Sequence, residues 1–205
     1  MSEVRLAAID IGGAADPWSA IGFGVDESGR IPFSNGALEF VPGPQGAVAL
    51  SIEGVDGLPN EIDGIAVRPG DVVAAADHPI GVVEIDHLVI MTDSLERTSE
   101  AFATVLGLEC RRIRETDTVR QAFHRFADQG GRRGSIIEIV ESARVRSPAL
   151  FGLVLNLADL DAAVARLGPE LVSAPKPAVQ PGRRIATVRA GAGLGVALAL
   201  MSPER

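Results

Sequence analysis

The chain has 205 residues, enough for one large domain or two small ones with a substantial core. With 46% hydrophobic and 22% charged residues it reads as globular rather than disordered, and a net charge of −8 argues against a nucleic-acid partner. No apolar run is long enough to span a bilayer, MSEVRLAAIDIGG lacks the basic region of a signal peptide, and the single cysteine, Cys110, excludes an intrachain disulfide or a cysteine-based zinc cluster, so a cytoplasmic address is expected.

The charge is uneven: residues 1–82 carry twelve acids and three arginines, residues 83–205 fifteen acids and sixteen bases. In the acidic third, VRLAAIDI, GALEFV and AVALSIEGV read as strands between glycine- and proline-rich turns, and DPWSAIGFG as a short helix. Residues 57–81 read as a connector with its own strand at Gly64–Val67. IDIGG at Ile9–Gly13 lacks the second aspartate-glycine loop of a sugar-kinase fold and is set aside.

Residues Ile85–Ser142 run strand, helix and three further strands. In EIDHLVIM, period-2 alternation puts His87 on one face with Val89 and Met91. TDSLERTSEAFATVLGLE follows as a helix with Asp93 as N-cap, an apolar stripe of Leu95, Phe102, Val105 and Leu106, and Gly107 as its stop. ECRRIRE, TVRQAFHRF and GSIIEIVE are three short strands, the last carrying Glu138. Arg111, Arg112, Arg114, Arg120 and Arg125 form a cationic run on them, readable as a solvated sheet face or as an anion- or subunit-contact surface.

The pattern repeats. FGLVLNLADLDAAVARLG is a strand and a shorter helix, followed by ELVSAP, GRRIATVRA and GLGVALALM. Superposing the copies puts His87 over Gly152 and Glu138 over Ala199. GAGLG at Gly191–Gly195 enters a strand instead of a helix, which excludes a dinucleotide loop, and no G-x-S-x-G nucleophile elbow is present.

The element order, the DHLV start and the IIEIVE end resemble the βαβββ module of the vicinal oxygen chelate superfamily, which includes glyoxalase I, bleomycin-resistance proteins and extradiol dioxygenases. The resemblance implies an α+β fold with paired modules at 84–142 and 148–202 forming a cupped sheet. Residues 1–80 are either a degenerate third module, with Glu53 in the position of Glu138, or an unrelated β-rich subdomain. For function it implies a glyoxalase-type lyase, isomerase or dioxygenase acting on a small oxygen-bearing substrate. His87 and Glu138 would ligate Mn²⁺, Fe²⁺, Ni²⁺ or Zn²⁺, with Glu138 also the catalytic proton acceptor. His124 or Glu53 would be a further ligand, since Gly152 and Ala199 cannot be. The alternative is a metal-free, bleomycin-resistance-like binding protein. On either reading Val89, Met91, His124, Phe126 and Asn156 would contact the ligand, with Val154 and Leu198 beside them. Free sheet edges point to a homodimer, with residues 1–80 covering an edge or joining the interface.

Overall fold

Helix α2 (Leu95–Leu106) buries Leu95, Thr98, Phe102 and Leu106 along one stripe and ends at Gly107, whose φ of 66° is the left-handed conformation a helix stop uses. Its cap is Ser94 rather than Asp93: Ser94 is extended at φ −146° and its side chain accepts from the Arg97 amide. Asp93 is engaged instead by the Arg97 guanidinium at 2.5 Å. Helix α3 (Leu160–Leu167) repeats the design, with the Asp159 side chain accepting from the Ala162 amide.

A computed structural model describes residues 3–203. Around these helices, β7 (Val82–Thr92), β8 (Arg112–Glu115), β9 (Arg120–Arg125), β10 (Ile136–Glu141), β11 (Ala149–Leu157), β12 (Lys176–Pro177), β13 (Arg184–Thr187) and β14 (Ala197–Met201) form one sheet in the order β12-β13-β14-β11-β7-β10-β9-β8. Strand β10 is parallel to β7, β14 is parallel to β11, and β7 meets β11 antiparallel, so the two halves are related by a pseudo-twofold between the central strands. The register follows the internal repeat: Glu138 lies opposite Val89 as Ala199 lies opposite Val154, with His87 and Gly152 two residues earlier. The run ELVSAP yields only an isolated bridge at Val172, and the short β12 lies just beyond it.

The N-terminal third makes its own sheet from β1 (Arg5–Gly12), β2 (Ile31–Phe33), β3 (Gly36–Val41), β4 (Gly46–Glu53), β5 (Glu61–Ile62) and β6 (Ile65–Pro69), with the short helix α1 (Asp16–Ala20) after β1. The order β2-β3-β1-β4-β6-β5, with β3 parallel to β1, β6 parallel to β4 and β1 antiparallel to β4, is that of the larger sheet without its outermost strands. Each half is thus a shortened module, and the second has the loop 54–60 where a helix would stand. The register corrects the alignment of SIEGV with IIEIV. Strand β4 occupies the place of β11, and Glu39, opposite Asp10, stands where Glu138 stands opposite Val89. Glu53 pairs with Arg5 at 3.3 Å in this sheet, away from His87.

The helix-poor inner face of the small sheet lies against the helical side of the large one. Leu6, Ile9, Leu38, Leu50 and Val67 join Ile85, Leu88, Ile90, Phe102 and Leu155 in one buried cluster. The joint is also polar. Asn35 donates from Nδ2 to the Ile85 carbonyl and accepts from the Ile85 amide, and the Ala127 amide donates to Val4 O. Asp63, held at φ +47°, accepts from Thr98 Oγ1 at 2.6 Å and from Arg97 Nε at 2.9 Å. Residues 5–69 therefore cover the back of the large sheet and pair with neither of its edge strands, β8 and β12.

Candidate functional site

Cross-strand register decides what the outer face of the large sheet presents. Leu88, Ile90, Ala122, Ile137, Ile139 and Leu153 pair with one another on the inner face and are buried. On the outer face His87 is linked through Ile136 to Arg125, and Val89 through Glu138 to Phe123. Val89 and Met91 are partly exposed there and Val154 is buried among them.

Three expected lining residues lie elsewhere. His124 and Phe126 alternate with Ala122 and so face inward; both are buried. His124 Nδ1 donates to Leu108 O at 2.7 Å and its Nε2 accepts from Ser99 Oγ of α2 at 2.9 Å, which makes it a hydrogen-bonded core histidine. Burial lowers its pKa against the opposing pull of the Leu108 carbonyl. Leu198, opposite Leu153, likewise belongs to the core.

At the centre of the outer face His87 stands between two carboxylates. Its Nδ1 is 2.7 Å from Asp86 Oδ2 and its Nε2 3.2 Å from Glu138 Oε2, with side-chain exposures of 14%, 8% and 13% for the three residues. Consecutive residues of a regular strand point to opposite faces, so an Asp86–His87 bond requires an irregularity. A β-bulge supplies it: His87 pairs with Val154 and Ile85 with Leu155, leaving Asp86 as the extra residue. A second bulge leaves Phe151 unpaired on β11 and 56% exposed.

The cluster continues on both sides. Gln121 donates from Nε2 to Glu138 Oε1, and Arg114 Nη1 donates to Gln121 Oε1 at 3.1 Å. Arg183 donates from Nη1 to Asp86 Oδ1 at 2.7 Å, from Nε to Ser202 O at 2.9 Å and from Nη2 to Asn156 Oδ1. Asn156 in turn donates to Glu84 Oε1 at 2.9 Å. Burial alone would push the Asp86 carboxyl up; hydrogen bonding and charge from His87, then Arg183, outweigh it and hold the group at about 2. Asp86, Gln121 and Arg183 were not found from sequence. Only the bulge and the register bring them to His87, and neither leaves a local signal.

Metal ligation fits only in part. The 3.2 Å between His87 Nε2 and Glu138 Oε2 suits two ligands of one ion, and Asp86 behind Nδ1 is the kind of carboxylate that orients a metal-bound histidine. The set stops there. Gly152 and Ala199 offer no donor, and a Cβ on Gly152 would lie 2.4 Å from the Ala197 carbonyl oxygen, so position 152 has no room for a ligand side chain. With His124 in the core and Glu53 in the other sheet, no group of three or more His, Cys, Asp or Glu side chains is placed to hold a metal among the described residues. The residues present do not fit the three- or four-ligand centre that the resemblance implied.

Beside the cluster lies a cavity of about 140 Å³, lined by Asp86, Arg125, Ile136, Asn156, Gln180 and Arg183 among others. What the whole face can do chemically is hold a small polar molecule and exchange a proton with it. A neutral imidazole can donate to one flanking carboxylate, a protonated one to both. No helix among the described residues is long and apolar enough to cross a membrane.

No family model and no curated protein matches the sequence. Solved structures do. About 60% of this chain superposes on 99% of a Streptomyces coelicolor methylmalonyl-CoA epimerase variant in complex with 2-nitronate-propionyl-CoA, at 21% identity and a TM-score of 0.51. The Mycobacterium tuberculosis methylmalonyl-CoA epimerase gives 20% identity and a TM-score of 0.50, covering 61% of this chain and 91% of that one. A methylmalonyl-CoA epimerase in complex with methylmalonyl-CoA and NH4+ gives 22% and 0.50, covering 59% and 94%. Over the part that matches them, the fold of this chain is that of these enzymes.

Proposed function

We propose that the chain binds a small oxygen-bearing organic ligand on the outer face of the large sheet and does so without a resident metal. The observation that carries this reading is the composition of the face: a His–carboxylate cluster with two potential ligands, beside a polar cavity. The fold neighbours bind coenzyme A esters, which supports a small-molecule ligand without naming it. Calorimetric titration of chelator-treated protein with short-chain acids, 2-oxo acids and acyl thioesters is the test. Saturable binding that added Mn²⁺ or Zn²⁺ leaves unchanged supports the reading. Binding that appears only with metal overturns it, and so does silence across the panel.

The bracing of His87 favours a second reading, in which the bound ligand also exchanges a proton. A histidine held by Asp86 at one nitrogen and facing Glu138 with the other is oriented as a general acid–base is. Mass-spectrometric uptake of deuterium next to the carbonyl of a bound thioester should then occur in D2O and disappear in His87→Ala and Glu138→Gln. Equal uptake by wild type and variants would leave binding alone.

A further inference from the structure

Resting on the binding reading above, we infer that the cavity at the Asp86 end of the face takes a short-chain monocarboxylate anion, with the Arg125 guanidinium as its anchor. Arg125 is partly buried on β9, two strands from His87 and joined to it in register through Ile136. Among the described residues no carboxylate lies within ion-pair distance of it. The one hydrogen bond of its side chain there is from Nη1 to Gly134 O at 3.4 Å. Arg183, on the opposite wall, is already engaged by Asp86, Asn156 and the Ser202 carbonyl. A partly buried guanidinium facing a cavity with most of its donors unused is a site for an anion, and its planar fork matches a carboxylate in two parallel hydrogen bonds.

Charge and size narrow the class. Glu84 and Asp86 line the cavity together with Arg125, Arg133 and Arg183, so its walls carry one net positive charge, which a single carboxylate balances. At roughly 30 Å³ per water, 140 Å³ is the space of about five waters, the scale of a three-carbon acid. The side chain of Ile136 gives a short alkyl chain an apolar wall, and the amide of Gln180 offers a further donor.

The test is titration with sodium propionate at constant ionic strength, followed by calorimetry and by protein NMR. Propionamide serves as the uncharged isostere and inorganic phosphate as the competing anion. Wild type should bind propionate saturably, with propionamide and phosphate each at least tenfold weaker. Arg125→Gln should weaken propionate at least tenfold while melting within a few degrees of wild type, and Arg125→Lys should fall between. If Arg125→Gln does not fold, the lysine variant and the propionamide comparison decide alone. Equal affinity for propionamide or phosphate, or undiminished binding by the variants, overturns the assignment. If propionate does not bind while a thioester from the wider panel does, this inference fails and the binding reading stands; if nothing binds, both fail.

Discussion

His78 shows how a single buried side chain sets a pH response. Its Nδ1 accepts from the Gly24 amide at 3.0 Å, so the proton of the neutral ring sits on Nε2, which donates to the Pro32 carbonyl at 2.9 Å. Phe23 and Phe33 pack around the ring, and burial lowers its pKa from the ordinary 6.5 despite the Pro32 carbonyl and Asp77. His124 is lowered in the same way. A histidine with a depressed native pKa binds its proton more readily when unfolded, so its contribution is full above pH 6.5 and is lost as pH falls below that value toward the native one. A tenfold depression of proton affinity corresponds to about 1.4 kcal/mol. Asp86 does not add to the effect in this window, because its carboxyl is held at about 2 and its contribution disappears only in stronger acid. The urea midpoint should therefore drop between pH 7.5 and 5, and drop less in His78→Gln. A midpoint that stays constant for wild type would contradict this.

At the scale of elements, the pair β11–β14 carries the difference between the two halves of the large sheet. Where β7 offers His87, β11 offers Gly152, and the Ala197 backbone occupies the volume a side chain would need: a Cβ there would meet the carbonyl oxygen at 2.4 Å and the Ala197 Cβ at 2.8 Å. Neither contact can be relieved by turning a flexible side chain, so Gly152→Ala must move one strand of a registered parallel pair. Overpacking of this kind costs about 1–3 kcal/mol, and urea unfolding of Gly152→Ala should show a loss of that size. Wild-type stability would mean that the strands part more easily than their register implies. The sequence alignment of His87 with Gly152 was legible because both halves keep the strand–helix–strand spacing. The closing of the second position against β14 was not, since it depends on a backbone 45 residues further along the chain.

At the scale of the whole molecule, the two sheets share one buried cluster and exchange hydrogen bonds through Asn35, Asp63 and Val4. Neither can leave the other without exposing an apolar face, so they should unfold together. Trp18, the single tryptophan, is buried beside Phe23 in the N-terminal third and reports on that part alone. Its fluorescence transition in urea should coincide with the far-ultraviolet circular dichroism transition, which reports on both sheets. A tryptophan transition at lower urea would show that the small sheet melts first.

Local pattern determined much of this protein by itself. Strand-like runs between turn residues gave β1, β3, β4, β9 and β10, alternation gave β7, an apolar stripe and a glycine stop gave α2, and the repeated order of elements gave α3 and the paired modules, because each is written in short stretches of the chain. Only the tertiary structure decided which face of a strand is the outer one, and so sent His124 and Phe126 to the core. It alone placed the bulge that sets Asp86 beside His87, brought Arg183 to Asp86 across 97 residues, and gave Glu39, not Glu53, the place of Glu138. A strand carries its alternation in its own sequence, but its register, its bulges and the side it buries are fixed by the partners it meets.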